Sequence, residues 1–372
     1  MSQWVFIEAS DVWLFRDNKP FSAQQNFVAQ GQFPPTPMTI QGAVRTHFLE
    51  NMLPSEGRSW DDYRHGNVSS SIIQTVGLPA FNGQPAIQGA LHITGPFVAR
   101  LNSNGTVERL LRAPLDLLAL KSEKTNPETY DYKVLTPVTE YDFATEPPFN
   151  GWCPLEGGGH GYKEAQGWLS ESDFINYLKG NVSEVKHLAD EEVFTHENRV
   201  GLALDYNRRA HIESMFYQAE FVRPCDQVGL LIHVDHPIFT GSGYLSLGGE
   251  SRSGHFQVVN NIHPLPQTGR GKVRIVLLTP AYFTGGWAPE NHDWSPWVGD
   301  GALVSAAVGK PHAISGWDMA ANRPKPLRHY VPAGSVFFFE NADVKGIPFT
   351  ETPHSSPDHG AMGFGTFAVG LW

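Results

Sequence analysis

The dipeptide Thr36-Pro37 constrains this chain more than any other feature, because it fixes where one helix must begin. A threonine at the N-cap accepts a hydrogen bond from a first-turn N–H, and a proline at the first helical position loses nothing by lacking one. Ile40, Ala43, Val44, His47 and Phe48 follow at i, i+3, i+4, i+7 and i+8, which puts them on one buried stripe. Gly42 interrupts that helix at a cost of about 1 kcal/mol relative to alanine, so a packed strand or a ligand is expected close to the backbone there. Upstream, Trp4–Ala9 reads as a first strand and Val12–Phe15 as a second apolar run. The polar turn Arg16-Asp17-Asn18-Lys19-Pro20 follows.

Helix signals of this quality are rare in the rest of the chain. With 37 Gly, 28 Pro and only 17% charged residues, short strands and turns are favoured over long helices. A length of 372 residues predicts two domains. Residues 54–85 show no clear period and read as an insertion or loop. Gly89–Ile93 and Pro96–Leu101 read as a strand pair broken at Thr94-Gly95-Pro96, and Asn102–Gly105 is a turn signal before Val107–Leu111. Residues 121–166 form a second insertion rich in Pro and Gly, with a Gly157-Gly158-Gly159 run that is expected to be mobile. Ser170–Leu178 is a short helix capped by Ser170 or Ser172 and closed by Gly180. Strands dominate afterwards. Glu213–Val222 and Gln227–Val234 are expected to pair across Arg223-Pro224, and Tyr244–Val259 is broken at Gly248-Gly249. Val273–Leu278, Leu303–Val308 and Ser335–Phe339 continue the series. The order fits one ferredoxin-like βαββαβ unit in each half, or an all-β sandwich.

A net charge of −11 excludes a simple non-specific nucleic-acid binder. The acidic excess is uneven: residues 1–196 carry 14 Lys+Arg against 23 Asp+Glu, whereas residues 197–345 carry 13 of each. Any RNA site must then be a local arginine surface. Two cysteines, Cys153 and Cys225, offer no disulfide framework and no CxxC spacing. The first residues lack a signal-peptide pattern, and no apolar run is long enough to span a bilayer, so a cytoplasmic location is expected. No Walker, Rossmann, GxSxG or HExxH pattern is present, and no cofactor is expected.

Several segments together resemble the RAMP superfamily of CRISPR-associated proteins, most closely the third subunit of the Cmr module in type III-B effector complexes. They are FRDNKPF (15–21), FPPTP (33–37), GAVRTHFLE (42–50), ENRVGLALD (197–205), LGGESR (247–252), GWD (316–318) with KPLR (325–328) and PAGSV (332–336), and HGAMGFGTFAVG (359–370). The resemblance implies an α+β fold of two ferredoxin-like (RRM-like) domains: residues 1–196, with insertions at 54–85 and 121–166, and residues 197–372. It implies a non-catalytic subunit that binds the 5′ handle of the CRISPR RNA. Its partners would be the large polymerase-like subunit and the first backbone subunit. The 121–166 insertion would form a thumb-like hairpin against the guide.

The RNA-binding candidates follow from these segments. Arg16 and Lys19 lie at the end of an apolar strand, where an arginine can clamp a phosphate bidentately; an ordinary solvated turn is the alternative. Arg45 lies one position past the helical stripe, as a surface charge or as a ligand contact. Arg199, Arg208, Arg209 and Arg223 belong to the central block, which leads into a strand ending Tyr217-x-x-x-Phe221-x-Arg223, with Phe216, Tyr217 and Phe221 as stacking faces or core. Gly248 and Gly249 can converge backbone N–H groups into an anion nest beside Arg252, or form a bulge with an Arg252–Glu250 pair. Arg323, Lys325 and Arg328 form a later basic cluster, and Gly363 and Gly365 would let an RNA backbone approach, or lace a terminal strand. Two other functions are consistent with the residues. One is a RAMP endonuclease using His211, His255 or His359 as acid–base without metal. The other is a carbohydrate-binding module or glycosidase suggested by 10 Trp and the acidic balance.

Overall fold

Thr36 caps the helix that the sequence predicts: its side chain accepts from the Thr39 N–H, and Pro37 opens the first turn. The computed structural model describes residues 2–16, 28–121, 129–138, 153–205, 210–318, 322–354 and 356–372, with the side chains of 28, 202–205 and 210–217 outside the description. In chain order the principal elements are β1 (Gln3–Ala9), α1 (Pro37–Ser55), α2 (Trp60–Arg64), α3 (Ser70–Val76), β2 (Ile93–Leu101) and β3 (Val107–Arg112). Next come β4 (Leu117–Lys121), β5 (Tyr130–Val134), β6 (Trp168–Ser170), α4 (Glu171–Leu178), β7 (Phe194–Asp205) and β8 (Ala210–Pro224). They are followed by β9 (Val228–Val234), β10 (Ser242–Ser246), β11 (Ser253–Val259), β12 (Arg270–Leu277) and α5 (Ser295–Val298). The series ends with β13 (Ala302–Ala307), β14 (Val336–Asp343), α6 (His359–Met362) and β15 (Phe367–Leu371). The α+β class is as expected.

These elements sort into two units, each discontinuous in sequence. The first holds residues 1–107, 191–260 and 313–328, and the second holds 108–190, 261–312 and 329–372. Residue 196 lies inside β7.

In the first unit the strands run in the antiparallel order β2-β9-β1-β11-β10. β1 is central because Val5, Phe6 and Ile7 are all fully buried, so both of its faces are covered. Taking β1, β2, β9 and β11 as first to fourth in chain order, they lie fourth-first-third-second across the sheet, and α1 links the first to the second. α1 buries Pro37, Ile40, Val44, Leu49 and Leu53; Ala43, His47 and Phe48 of the expected stripe are only half-buried. Gly42 is exposed, and a Cβ there would meet nothing within 4 Å, so no atom of the described residues explains it.

Three further sequence expectations are corrected in this unit. The 54–85 stretch is not loop throughout: it carries the end of α1 and two short helices, α2 and α3. Ser59 and Asp62 form a reciprocal capping box on α2, and Ser69 caps α3. Helices of five and seven residues are too short to display a period. β2 runs unbroken through Thr94-Gly95-Pro96, with its register against β9 shifting between Leu231 and His233; a proline offers the ladder no N–H. Finally, β8 pairs with β7 in a long antiparallel hairpin rather than with β9. Both edges of β9 are already taken, by β1 and β2.

In the second unit, β12, β13, β14 and β15 repeat the fourth-first-third-second order, as β15-β12-β14-β13, all antiparallel. α5 lies between the first and second strands in sequence, and α6 between the third and fourth. Their core is aromatic: Trp294 stacks on Phe349 at 5.3 Å, with Phe283, Trp297 and Phe337 around them. Ser170 caps α4 through the Asp173 N–H, and Gly180 follows at φ +82°. In the second insertion, β4 pairs with β5, and Lys163–Glu164 pairs with the middle of β4. In the Gly157–Gly159 run, a Cβ on Gly157 would stand 2.6 Å from the Val134 carbonyl oxygen and one on Gly158 2.8 Å from Leu118 Cδ1, whereas one on Gly159 would meet nothing within 4 Å. No helix of the described residues is long and apolar enough to cross a membrane.

Candidate nucleic-acid interface

The β7–β8 hairpin determines which side chains meet. Glu197 lies opposite Phe221, and Arg199 opposite Ala219. Side chains alternate between faces along a strand, so Glu197, Arg199, Phe221 and Arg223 share one face. β1 and β11 bring in two more groups. Their register places Ala9 opposite Gly254, and Ser10 and Ser253 meet next through backbone and hydroxyl contacts. One step further along, Asp11 faces Arg252.

The result is a fan of three arginines around two carboxylates. Arg199 Nε donates to Glu197 Oε1 at 2.7 Å, and its Nη2 to Asp11 Oδ2 at 3.2 Å. Arg223 donates from Nε and Nη2 to Glu197 Oε2 at 2.8 and 2.6 Å, and its Nη2 lies 3.0 Å from Asp11 Oδ1. Arg252 Nη1 lies 3.7 Å from Asp11 Oδ2. The guanidinium carbons of Arg199 and Arg252 each lie 4.8 Å from the centre of the Phe221 ring, where its π-face attracts cations. Arg252 Nε is buried with no acceptor among the described residues. Arg199, Arg223 and Arg252 remain 37%, 43% and 25% exposed, so the fan faces solvent with one excess positive charge. Hydrogen bonds from Arg199, with Arg223 adding, hold the Asp11 carboxyl below its usual range. Arg223 and then Arg199 do the same for Glu197.

The glycine pair has a different task from the one expected. Gly248 takes φ +95°, and a Cβ on it would stand 3.1 Å from the Leu14 carbonyl oxygen. The Gly249 N–H donates to that oxygen at 2.8 Å, so it is not open to an anion. The pair turns the chain tightly between β10 and β11 and delivers Arg252 to Asp11, not to Glu250 as in the bulge alternative. Phe221 is 1% exposed and packs with Val12, Leu14, Ala29 and Ala219; it is core beneath the arginines rather than a stacking surface.

The other candidates are distributed as follows. Arg16 is exposed and bridges Gly31 through its backbone. Lys19, Arg208 and Arg209 lie outside the described residues, as do the side chains of Phe216 and Tyr217. Arg45 Nη2 donates to the Tyr63 hydroxyl at 3.0 Å, tying α1 to α2. Lys325 packs its stem near Gly316 and Met38, and burial pulls its ammonium below the usual lysine range; Arg45 adds to that effect and Asp318 opposes it. Arg323 is exposed opposite Asp318 in the short Trp317–Asp318/Arg323–Pro324 ladder. Gly363 and Gly365 belong to the second unit and are buried. Gly365 has φ +66°, and a Cβ there would stand 2.7 Å from the Phe349 backbone, so the structure gives that glycine a packing reason.

A family model described as CRISPR-associated protein (Cas_Cmr3) matches residues 5–372. The chain belongs to this family. No curated protein shows significant similarity to the sequence. Two solved chains share its fold. One is from a "Cryo-EM structure of the Type III-B Cmr-beta bound to cognate target RNA and AMPPnP, state 1", with TM-score 0.51 and 17% identity over 90% of this chain and 86% of that one. The other is from the same complex "bound to cognate target RNA", with TM-score 0.50 and 16% identity over 90% and 86%.

For this Cas_Cmr3 family member, the sequence reading reached Arg199, Arg223 and Arg252 but not Asp11 or Glu197. The signal for Glu197 was present: Glu197-x-Arg199 and Phe221-x-Arg223 both carry the period of two that puts alternate residues on one strand face. Asp11 had no local signal, since only the β1–β11 register brings it in. The histidines give no comparable constellation. His359 is buried; its Nδ1 donates to the Pro357 carbonyl at 3.0 Å, and its Nε2 accepts from the Tyr330 hydroxyl at 2.7 Å. His255 lies against Tyr244, and the His211 side chain is outside the description. Among the described residues no group of three His, Cys, Asp or Glu could hold a metal ion. Trp13, Trp168, Trp294 and Trp297 are core residues, not a stacking platform for sugars.

Proposed function

We propose that this chain is a non-catalytic subunit of a type III-B CRISPR effector complex and that it holds the 5′ handle of the CRISPR RNA. The observation that carries the reading is the solvent-facing fan of Arg199, Arg223 and Arg252, all three of which stand in family-like segments. Guanidinium groups match the paired oxygens of a phosphate, and phosphate contacts set the register of a bound strand. Arg16, Arg323 and Lys325 belong to the same unit. Family membership supports assembly with other Cmr subunits; in that role the chain bridges the large polymerase-like subunit to the first backbone subunit, in the cytoplasm. We read both units as ferredoxin-like, RRM-like domains. The fourth-first-third-second strand order in each supports this.

The test is co-purification of the tagged chain from its native host, with sequencing of bound RNA. We expect guides sharing one 5′ end, recovered with other subunits. The variant carrying Arg199→Ala, Arg223→Ala and Arg252→Ala should retain far less RNA and show a salt dependence shallower by about 0.7 per lost phosphate contact. A clean monomer without RNA would overturn the proposal.

A further inference from the structure

The two carboxylates in the arginine fan are not equivalent. Glu197 is carried by β7, locked in a long ladder with β8, and its two oxygens are shared between Arg199 and Arg223 at 2.6–2.8 Å. Asp11 instead sits in the bend after β1, is 48% exposed, and is the one group among the described residues that reaches all three arginines, at 3.0, 3.2 and 3.7 Å. Arg252 has only the longest of these contacts and keeps a buried Nε with no acceptor among the described residues. The fan is thus ordered by Glu197 and only loosely filled by Asp11.

We propose that Asp11 stands in for an RNA phosphate in the free subunit and is displaced when the phosphate enters. The inference rests on the RNA-binding reading above and adds a control element to that site. A carboxylate and a phosphodiester each present two anionic oxygens and one negative charge. The exchange leaves the charge of the fan unchanged, while a phosphate has further oxygens within reach of Arg252. Glu197 is a positioning residue that holds Arg199 and Arg223 in place for either occupant. Asp11 is a built-in competitor, which raises the threshold for stray polyanions and reserves the site for a strand held by additional contacts. A merely structural Asp11 predicts the opposite sign: its loss would slacken the arginines and weaken binding.

The experiment compares the full-length wild type, Asp11→Asn, Glu197→Gln and the triple arginine variant. Each is titrated across a salt series with fluorescein-labelled guide RNA recovered from the native complex, and with labelled oligouridine of equal length. Asp11→Asn should bind both RNAs more tightly, by roughly fivefold for one relieved surface ion-pair competitor, with a proportionally larger gain for oligouridine. Its salt slope should steepen by about 0.7. Glu197→Gln should weaken binding of both. If the wild type binds and Asp11→Asn binds equally or less well, the displacement proposal is overturned while the RNA-binding reading stands. If the wild type binds below detection, a gain by Asp11→Asn supports displacement and no gain overturns it. If the triple arginine variant binds as the wild type does, the site reading itself is overturned.

Discussion

Asp116 shows how a single buried charge is accommodated in the second unit. It is fully buried, accepts from the Tyr177 hydroxyl at 2.6 Å, and lies 3.4 Å from Arg274 Nη1. Burial pushes its carboxyl up to about 6, against the opposing pull of Arg274 and Tyr177. The folded state therefore holds a proton that the unfolded chain, near 3.8, has already released. This contribution to stability is present in full below pH 3.8 and is lost as pH rises through about 6. Urea denaturation between pH 4 and 7 should show Asp116→Asn lacking that downward slope, so that its stability relative to the wild type rises as the pH is raised from 4 to 7. Gly365 makes a second residue-scale test. With φ +66° and the Phe349 backbone close by, Gly365→Ala should lower the melting temperature, by more than about 1 kcal/mol in stability. A variant of unchanged melting temperature that lost RNA would restore the glycine to the RNA surface.

At the scale of elements, α1 shows what a sequence can and cannot announce. Its start is chemical, an N-cap followed by proline, and it was legible to the residue. Its interior glycine was legible as an anomaly but not in its cause. Because Gly42 is exposed and a methyl group added to it would meet no atom within 4 Å, Gly42→Ala should stabilise the isolated chain by up to about 1 kcal/mol in chemical denaturation. If the same variant fails to assemble with partner subunits, the close approach belongs to a partner. α2 and α3 were not legible, because each is shorter than two turns, which is too little to establish a repeat. The β8 partner was misread for another reason. Adjacency in sequence favours β9, but β9 has both edges engaged by strands that lie far away in the chain.

At the scale of the molecule, the local signals gave the strands but not their assortment. Most of the later strands follow from apolar runs, whereas the α+β class rests on the family resemblance, because the residue pattern fits an all-β sandwich equally well. The interleaving of the two units follows from neither, since no local property tells residues 313–328 to join the first unit. The candidate site follows the same rule. Its arginines were visible one by one; its carboxylates were visible only through long-range register. The charged RNA-binding candidates among the described residues nevertheless all fall in the first unit, which sequence halves could not express.

The strand order in the second unit also has a consequence for synthesis. β12 is flanked by β14 and β15, and β15 begins about 90 residues after β12 ends. At ribosomal speeds that interval lasts roughly 5–20 s, during which one edge of an apolar strand, with Val273, Ile275, Val276 and Leu277 all destined for burial, has no partner. An open apolar edge recruits other chains. Nascent chains stalled between residues 344 and 366 should therefore aggregate or be captured by a chaperone, as ribosome-release assays with ordered truncations can measure, whereas those extended past Leu371 should remain in the supernatant.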